Sequence, residues 1–341
     1  MPALNLATFM ASLDARLSPS VLQVDPGRAI PEITAAIEHI VVRQLRKRGV
    51  VIGLSGGIDS SVVAALAAHA LGPERVLGLL MPERESAAET LALGRLAAQA
   101  LGIPTAVEDM TPVLEAMGCY ERRDAAIRTL IPEYGPGWKC KVALPSVIES
   151  DRYRIFSLVA RSPAGAERRV RVTSTMYLEL VAAMNFKQRS RKMMEYYHAD
   201  RRNYAVAGTP NRLEYDQGFF VKNGDGAADL KPIAHLYKTQ VYQIAEHLGI
   251  PETIRQRPPT TDTYSLPQTQ EEFYFSLPYD RMDLCLYARN TGIPADEVGD
   301  AIGLSAEQVE RVFRDIDAKR TATRYLHLAP QLVVEVPEIR R

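Results

Sequence analysis

Apolar residues in the first third of the chain alternate between short unbroken runs and helical repeats. The run VVIGL at 50–54 predicts a buried strand, and the following DSSVVAALAAHALG predicts a helix that is closed by glycine. RVLGLLMP at 75–82 predicts a second strand, residues 86–103 a second helix, and PTAVEDM a third short strand. Strands that alternate with helices predict an α/β fold with a doubly wound, mostly parallel, Rossmann-like sheet flanked by helices.

The alternation is interrupted between about 119 and 174. This segment contains IPEYGPGWKC, and RYRIFSLVARSPAGAERRVRVTS alternates like a hairpin that turns at Pro163 to Glu167. We interpret it as an insertion in a single domain that spans residues 1–341. Beyond it, a helix at 175–200, the strand NYAVAGTPN at 203–211 and a mostly helical tail at about 278–330 are predicted.

Charge and cysteine content narrow the class of protein. Lysine plus arginine equals aspartate plus glutamate at 41 each, so no overall field draws the chain to nucleic acid or to a membrane. The cysteines Cys119, Cys140 and Cys285 are too scattered for a disulfide framework or a zinc cluster, which suits a reducing cytoplasm. The N-terminus lacks a basic start with a long apolar core. We therefore expect a cytoplasmic protein.

A helix, glycine turn and helix at 291–316 is similar to a DNA-reading motif. Six acidic residues against two basic ones between Pro294 and Ile316 argue against it, because a recognition helix near phosphates carries the opposite excess. We expect no nucleic-acid partner.

The stretch VIGLSGGIDSS at 51–61 ends a strand and begins a helix. Glycines 56 and 57 permit close approach of a ligand, and the hydroxyls of Ser55, Ser60 and Ser61 with the helix N-terminus suit phosphate oxygens. Asp59 would repel an anion unless a cation lies between them, so it implies Mg²⁺ bound together with a nucleotide. The alternative is a plain glycine turn in which Asp59 caps the helix.

Two common phosphate motifs are missing, since no lysine follows the glycines as in GxxxxGK[ST] and no GxGxxG is present. The SGGxDS pattern resembles the loop of the ATP pyrophosphatases, which implies an enzyme that forms an adenylate. Residues 185–251 carry N-x-K-x-R, GT, a glutamate, GDG-x-AD and a lysine in that order. Together with RPPTTD, this order closely resembles the ammonia-dependent NAD synthetases.

The resemblance implies a ligase that uses ATP and Mg²⁺ to amidate deamido-NAD with ammonia through an acyl-adenylate, releasing AMP and pyrophosphate. A related adenylating amidotransferase or ligase acting on another carboxylate stays open, because TYSLPQTQEEFYF is longer and more aromatic than the acidic family loop. Glutamine-using members carry a separate amidase domain, and fewer than 50 residues precede the first strand here, so free ammonia is expected. The resemblance also implies a homodimer, with LELVAAM packed either on the partner or beneath the insertion.

The resemblance assigns site residues, and Lys238 would also replace the lysine that the loop lacks. The residues assigned to ATP are Gly53, Ser55, Gly56, Gly57, Asp59, Ser60, Ser61, Met81, Thr209, Lys238 and Thr260. Those assigned to deamido-NAD are Asn185, Arg189, Lys222, Asp225 and Asp229, those to Mg²⁺ are Asp59 and Glu214, and those to catalysis are Asp59, Lys238, Thr260 and Asp262. The simpler alternatives to these assignments are that Lys238 is a solvated helix lysine and that GDGAAD is a plain turn. We interpret the neighbouring Lys187, Arg191 and Lys192 as a solvated basic face of the helix.

Overall fold

The structure of the protein is a computed structural model that describes residues 17–144, 147–148, 156–261 and 263–339. The strands are β1 (Val50–Gly53), β2 (Val76–Leu80), β3 (Thr105–Val107), β4 (Lys139–Ala143), β5 (Ser157–Arg161), β6 (Glu167–Arg171) and β7 (Ala205–Val206). The helices are α1 (Pro26–Glu38), α2 (Ile58–Leu71), α3 (Thr90–Leu101), α4 (Thr111–Ala116), α5 (Cys119–Arg128), α6 (Ser174–Arg202), α7 (Arg212–Gln217), α8 (Lys238–His247), α9 (Glu252–Arg255), α10 (Tyr279–Thr291), α11 (Ala295–Ile302) and α12 (Ala306–Thr323).

In the part of the chain that the structure describes, the central sheet has four parallel strands in the order β3-β2-β1-β7, so the doubly wound α/β prediction is confirmed. The chain winds outward from β1 to β3 and returns on the other side of β1 with β7. The last strand is shorter than predicted, because only Ala205 and Val206 pair with β1 and Ala207 forms a single bridge to Leu230. The strand order reverses between β1 and β7, where open α/β sheets bind their ligands.

Side chains that alternate along β1 enter two different cores. Val50 and Ile52 pack with apolar residues of α1, α2 and α8, whereas Val51 packs with Leu77 and with Ala199 of α6. Because successive strand residues point to opposite faces, this alternation requires helices on both sides of the sheet. The continuous apolar run read from the sequence is the expected pattern for such a strand.

Residues 119–174 contain α5 and a second, antiparallel sheet in the order β4-β5-β6. The predicted hairpin is present, with β5 and β6 joined by residues 162–166. β4 was not predicted, and it pairs with β5 from Lys139↔Arg161 to Ala143↔Ser157. Val142, Leu158 and Ile127 of this region pack against Leu180 and Met184 of α6. The insertion therefore covers one face of α6.

The predicted helical tail consists of α10, α11 and α12, which share a core with Leu17 and Leu22 near the start of the described chain. Within the ranges that the structure describes, no helix is long and apolar enough to cross a membrane. The interpretation of the N-terminal segment concerns residues 1–18, of which residues 1–16 lie outside the described residues. All three cysteines are buried and free.

Candidate active site

A cavity of about 430 Å³ opens at the carboxyl ends of β1 and β7, and its size is typical of a small-molecule site. Ser55 lines it from the loop after β1, Asp59 from the first turn of α2, and Thr209 and Glu214 from the chain after β7. The loop after β2, helix α6 and the segment that begins at Arg257 supply the other walls. The cavity therefore lies at the reversal of strand order.

The predicted strand-to-helix turn is present at 55–61. Gly57 is the N-cap of α2, and the hydroxyls of Ser60 and Ser61 donate to its carbonyl at 3.0 and 2.9 Å. Gly56 has φ +70°, and a Cβ there would lie 2.7 Å from Cβ of Leu93, so a side chain does not fit. α2 has no side-chain cap, so the alternative in which Asp59 caps the helix is wrong.

Asp59 is held by two side chains from across the cavity. Nζ of Lys238 donates to one carboxylate oxygen, and the amide of Asn211 donates to the other at 3.1 Å. Lys238 is fully buried at the start of α8, so its interpretation as a solvated helix lysine is wrong. Burial opposes its charge, but Asp59 and Glu214 outweigh that effect and raise the pKa of Lys238.

Glu214 faces the same cavity as Asp59 and forms a capping box with Asn211, whose backbone N–H donates to it at 3.0 Å. Burial and the nearby Asp59 raise the pKa of Glu214 to about 8. A divalent cation would favour its ionised form. Among the described residues, no group of three or more His, Cys, Asp or Glu could hold a metal ion, but Mg²⁺ commonly takes one or two protein carboxylates plus phosphate and water. The two carboxylates therefore fit a magnesium ion that arrives with a nucleotide.

Most of the residues predicted to bind ATP line the cavity: Gly53, Ser55, Gly57, Asp59, Ser60, Met81, Thr209, Lys238 and Thr260. Gly56 and Ser61 do not line the cavity. Gly56 supplies the positive φ angle of the turn, and the Ser61 hydroxyl donates to the Gly57 carbonyl. A Cβ on Gly53 would lie 3.0 Å from Glu195 and 3.2 Å from Met81, so glycine keeps this end of the cavity open. Asp262 lies outside the described residues.

The residues predicted to bind deamido-NAD are split. Asn185 and Asp225 line the cavity, and the half-buried Asp225 accepts the N–H of Val221 at 2.8 Å. Arg189 and Lys222 do not line the cavity of a single chain, and Arg189 donates to the Lys222 carbonyl at 3.2 Å on the exposed side of α6.

Asp229 also lies away from the cavity. Its carboxylate accepts the N–H of Val206 at 2.7 Å and the hydroxyl of Tyr196 at 3.3 Å, which fixes the GDGAAD segment against β7. The plain-turn alternative therefore describes Asp229 better than Asp225.

The interpretation of Lys187, Arg191 and Lys192 as a solvated face is wrong. Lys187 is buried and pairs with Glu83 and Glu85, and Lys192 is buried and pairs with Glu195. Arg191 lines the cavity. Lys187 lies three and seven residues after Met184 and Leu180, on the helix face that the insertion covers, and this spacing was the available signal.

Three further polar residues organise the site and were missed. Asn211 joins Asp59 to Glu214, Gln270 donates to Glu214 at 3.2 Å, and Asp283 accepts the N–H groups of Lys238 and Thr239 at 3.3 and 2.7 Å. The N-x-x-E spacing of Asn211 and Glu214 is a recognisable capping signal. Nothing in the local sequence points to Gln270 or Asp283, because each contacts a segment far away along the chain.

Comparison with known proteins identifies the family of the chain. The NH(3)-dependent NAD(+) synthetase of Rhizobium meliloti (strain 1021) is 62% identical over 94% of this chain and 96% of its own length. Two solved structures are similar to this chain: an NH3-dependent NAD synthetase from Campylobacter jejuni, with a TM-score of 0.60, and an NMN synthetase from Francisella tularensis, with a TM-score of 0.61. Each is 22% identical in sequence, and each comparison covers 92% of this chain and 100% of the other chain. These two structures show the shared fold. The NAD synthase family model matches residues 29–129 and 147–323, and the chain belongs to the NAD synthase family.

Proposed function

We propose that the protein is an ammonia-dependent NAD synthetase, a ligase that uses ATP to amidate the nicotinate carboxylate of deamido-NAD. The observation that carries the proposal is the pairing of Asp59 with the buried Lys238 where the strand order reverses. It brings the SGGxDS loop together with a lysine from a distant helix, as adenylation requires. The relatives named above support ammonia as the nitrogen donor and NAD as the product.

The chemistry follows from the poor leaving group of a carboxylate. One carboxylate oxygen attacks the α-phosphorus of ATP, the bond to the bridging oxygen breaks, and pyrophosphate leaves. Ammonia then attacks the acyl carbon of the adenylate, AMP leaves and one proton is lost to solvent. The amides of the loop after β1 and the ammonium of Lys238 stabilise charge on the departing pyrophosphate. No side chain has to form a covalent intermediate.

Mg²⁺ would be held by Asp59 and Glu214, and it would neutralise charge on the phosphate oxygens. Thr209 and Thr260 line the same cavity and would supply hydroxyls to the nucleotide. Asn185 and Asp225 would contact the dinucleotide acid where it meets the nucleotide. Three buried free thiols suit a reducing cytoplasm, which is the compartment that we propose.

We also propose a homodimer built on the exposed stripe of α6. Leu178, Met193 and Tyr197 are 64%, 67% and 51% exposed, and Arg189 lies between them on the same side of the helix. The segment LELVAAM would serve both predicted purposes: Leu180 and Met184 pack beneath the insertion, and the exposed Leu178 would pack on the partner. Arg189 and Lys222 would then reach dinucleotide that is bound at the interface.

The experiment is a pyrophosphate-release assay with purified protein, ATP, Mg²⁺ and ammonium. Release should depend on deamido-NAD and should yield NAD in equal amount. If other nicotinate-like acids support release and deamido-NAD does not, the acceptor is wrong and the adenylating amidotransferase alternative takes its place. Absence of release with any carboxylic acid would refute adenylation altogether.

A further inference from the structure

Residues 263–269 run along the edge of β4 that lies opposite β5. The N–H of Cys140 donates to Oγ of Ser265 at 2.9 Å, and the N–H of Leu266 donates to the Cys140 carbonyl at 3.0 Å. Nε2 of Gln268 donates to the Val142 carbonyl at 2.9 Å. These three backbone groups of β4 are thus satisfied by the segment, two through its side chains and one through the Leu266 N–H. We call residues 263–269 the docked segment.

The docked segment also shares the apolar core of the insertion. Tyr264 is buried with Tyr134, Val142 and Leu158, and Leu266 is buried against Ala143 and Val159. Detaching the segment from β4 would therefore expose two large side chains as well as breaking its hydrogen bonds.

Lys187 of α6 contacts the first residue of the docked segment. Its Nζ donates to the Thr263 carbonyl at 3.2 Å and lies 2.8 Å from a carboxylate oxygen of both Glu83 and Glu85. Arg123 of α5 donates to Glu85 at 2.6 Å, and these four charged side chains are all 10% exposed or less. These four side chains, together with the half-buried Asp124 that also pairs with Arg123, form a network that joins the loop after β2 to α5, α6 and the docked segment.

Both ends of the docked segment lead into the active site. Thr260 and Thr261 line the cavity before it, and the Thr261 N–H donates to the Gln268 carbonyl at 3.0 Å. Gln270 lies directly after it and donates to Glu214. The position of the docked segment therefore sets the position of these side chains. The family model leaves residues 130–146 unmatched, and these include all of β4.

We propose that β4 holds the docked segment in one position throughout turnover, so that the insertion is a fixed wall of the active site, and that Lys187 is the positioning residue that clamps Thr263. This inference rests on the proposed function only in that its kinetic tests measure the deamido-NAD-dependent rate. Substrates then enter without release of this segment. Lys187 acts through Thr263 and the neighbouring threonines and does not touch the reacting atoms.

A cross-link tests the fixed wall. Oγ of Ser265 lies 4.0 Å from Sγ of Cys140, so Ser265→Cys should form a disulfide when the protein is treated with oxidised glutathione. Mass spectrometry of the tryptic peptides identifies the bridge independently of activity. We expect the bridged enzyme to keep its deamido-NAD-dependent rate within about twofold of the reduced form.

Two results would overturn the fixed wall. One is a bridged enzyme that is inactive and that recovers on reduction with dithiothreitol, which would mean that the segment must leave β4. The other is failure of the bridge to form, which would mean that the two residues are not neighbours in solution. If the bridge forms but neither form responds to deamido-NAD, the proposed function fails while the docking stands.

Substitution of Lys187 tests the clamp. Lys187→Met should lower kcat by about tenfold or more and change KM for ATP by less than about twofold, because the loop after β1 and the first turn of α2, which supply most of the residues assigned to ATP, are untouched. Lys187→Arg should restore most of the rate. Arg161→Met, which removes an exposed partner of Glu167 in the same sheet, is the matched control and should have no effect.

An effect of losing the Lys187 contact can be distinguished from unfolding of the insertion. The protein has one tryptophan, Trp138, which adjoins β4, and its fluorescence reports whether the insertion is intact. Because the disulfide holds the docked segment without the lysine, oxidised Ser265→Cys/Lys187→Met should regain activity that the reduced double variant lacks. If the rate does not recover in a bridged protein with native Trp138 emission, Lys187 has another role.

Discussion

The side-chain amide of Asn211 donates to the carboxylate of Asp59 at 3.1 Å, although 151 residues separate them along the chain. The same amide group accepts the N–H of Glu214 through its oxygen at 3.2 Å. One neutral side chain thus fixes both carboxylates that we assign to magnesium. The arrangement depends on the carboxyl ends of β1 and β7 being neighbours in the sheet.

Asn211→Ala should therefore affect stability and activity together. Loss of the helix cap should cost about 1 kcal/mol of the free energy of unfolding, and misplacement of the carboxylates should lower pyrophosphate release by about tenfold or more. Denaturant titration and the pyrophosphate assay measure the two effects. Ser305→Ala is the matched control, because Ser305 forms the capping box of α12 away from the cavity. If both variants keep full activity, Asn211 is only a cap.

Asp59→Asn should abolish most adenylate formation. The variant keeps the shape of the side chain but removes a metal ligand and the charge partner of Lys238, so a rate loss on the order of 10²–10³ is expected. Asp317→Asn removes an exposed carboxylate that pairs with Arg289 and should leave the rate unchanged. Near-normal pyrophosphate release by Asp59→Asn would show that the metal lies elsewhere.

Asp283 should make stability depend on pH. Burial raises its pKa to about 6, although the N–H groups of Thr239 and Lys238 lower it in part. Between about pH 4 and pH 6 the folded protein keeps a proton that the unfolded chain has already released. The protonated Asp283 therefore adds to the free energy of unfolding. This contribution is complete below about pH 4 and is lost as pH rises through 6.

Between about pH 4 and pH 7, the loss of the Asp283 contribution should lower the free energy of unfolding by about 2–3 kcal/mol. This decrease should be missing from Asp283→Asn, because its side chain does not titrate. Denaturant titrations of both proteins between pH 4.5 and 7.5 measure the difference. Parallel pH profiles for the two proteins would mean that Asp283 ionises normally in the fold.

Gly56→Ala should be more destabilising than another glycine substitution with the same backbone conformation. Gly102 has φ +65° with open space around its Cβ position, whereas a Cβ on Gly56 meets Leu93 at 2.7 Å and the Thr90 carbonyl at 2.9 Å. Gly102→Ala should cost about 1 kcal/mol for the backbone alone. Gly56→Ala should cost about 2 kcal/mol more, as for an overpacked site. Thermal unfolding of the pair gives the difference, and equal losses would show that α3 moves aside freely.

The α6 stripe should control assembly. Wild-type protein at micromolar concentration should sediment at twice the 37.8 kDa mass of the chain. Leu178→Asp/Met193→Asp should sediment as a monomer and lose activity with deamido-NAD, because charges are costly to bury at an interface. Val334→Asp places a charge at another exposed apolar position and should stay dimeric. A fully active wild-type monomer would refute the shared interface.

Local pattern was enough to predict β1, β2 and the hairpin, because their apolar spacing matches their burial. It failed where tertiary contacts decide the environment. Lys187 occupies a buried helix position, but a charged side chain in a sequence predicts an exposed position. Glu83, which neutralises Lys187, lies 104 residues away along the chain. β4 also shows alternation in KCKVA, but the preceding prolines and glycines suggested a loop. Gln270 and Asp283 could be found only once the chain is folded.

The attachment of the docked segment to β4 has an evolutionary consequence. A relative without residues equivalent to 130–146 has no edge on which a long segment after Pro259 could be satisfied. Its backbone groups would then face water or remain unpaired, which favours a shorter connection. We therefore expect the two segments to be gained and lost together, so that their lengths covary among NAD synthases although about 120 residues separate them in the sequence.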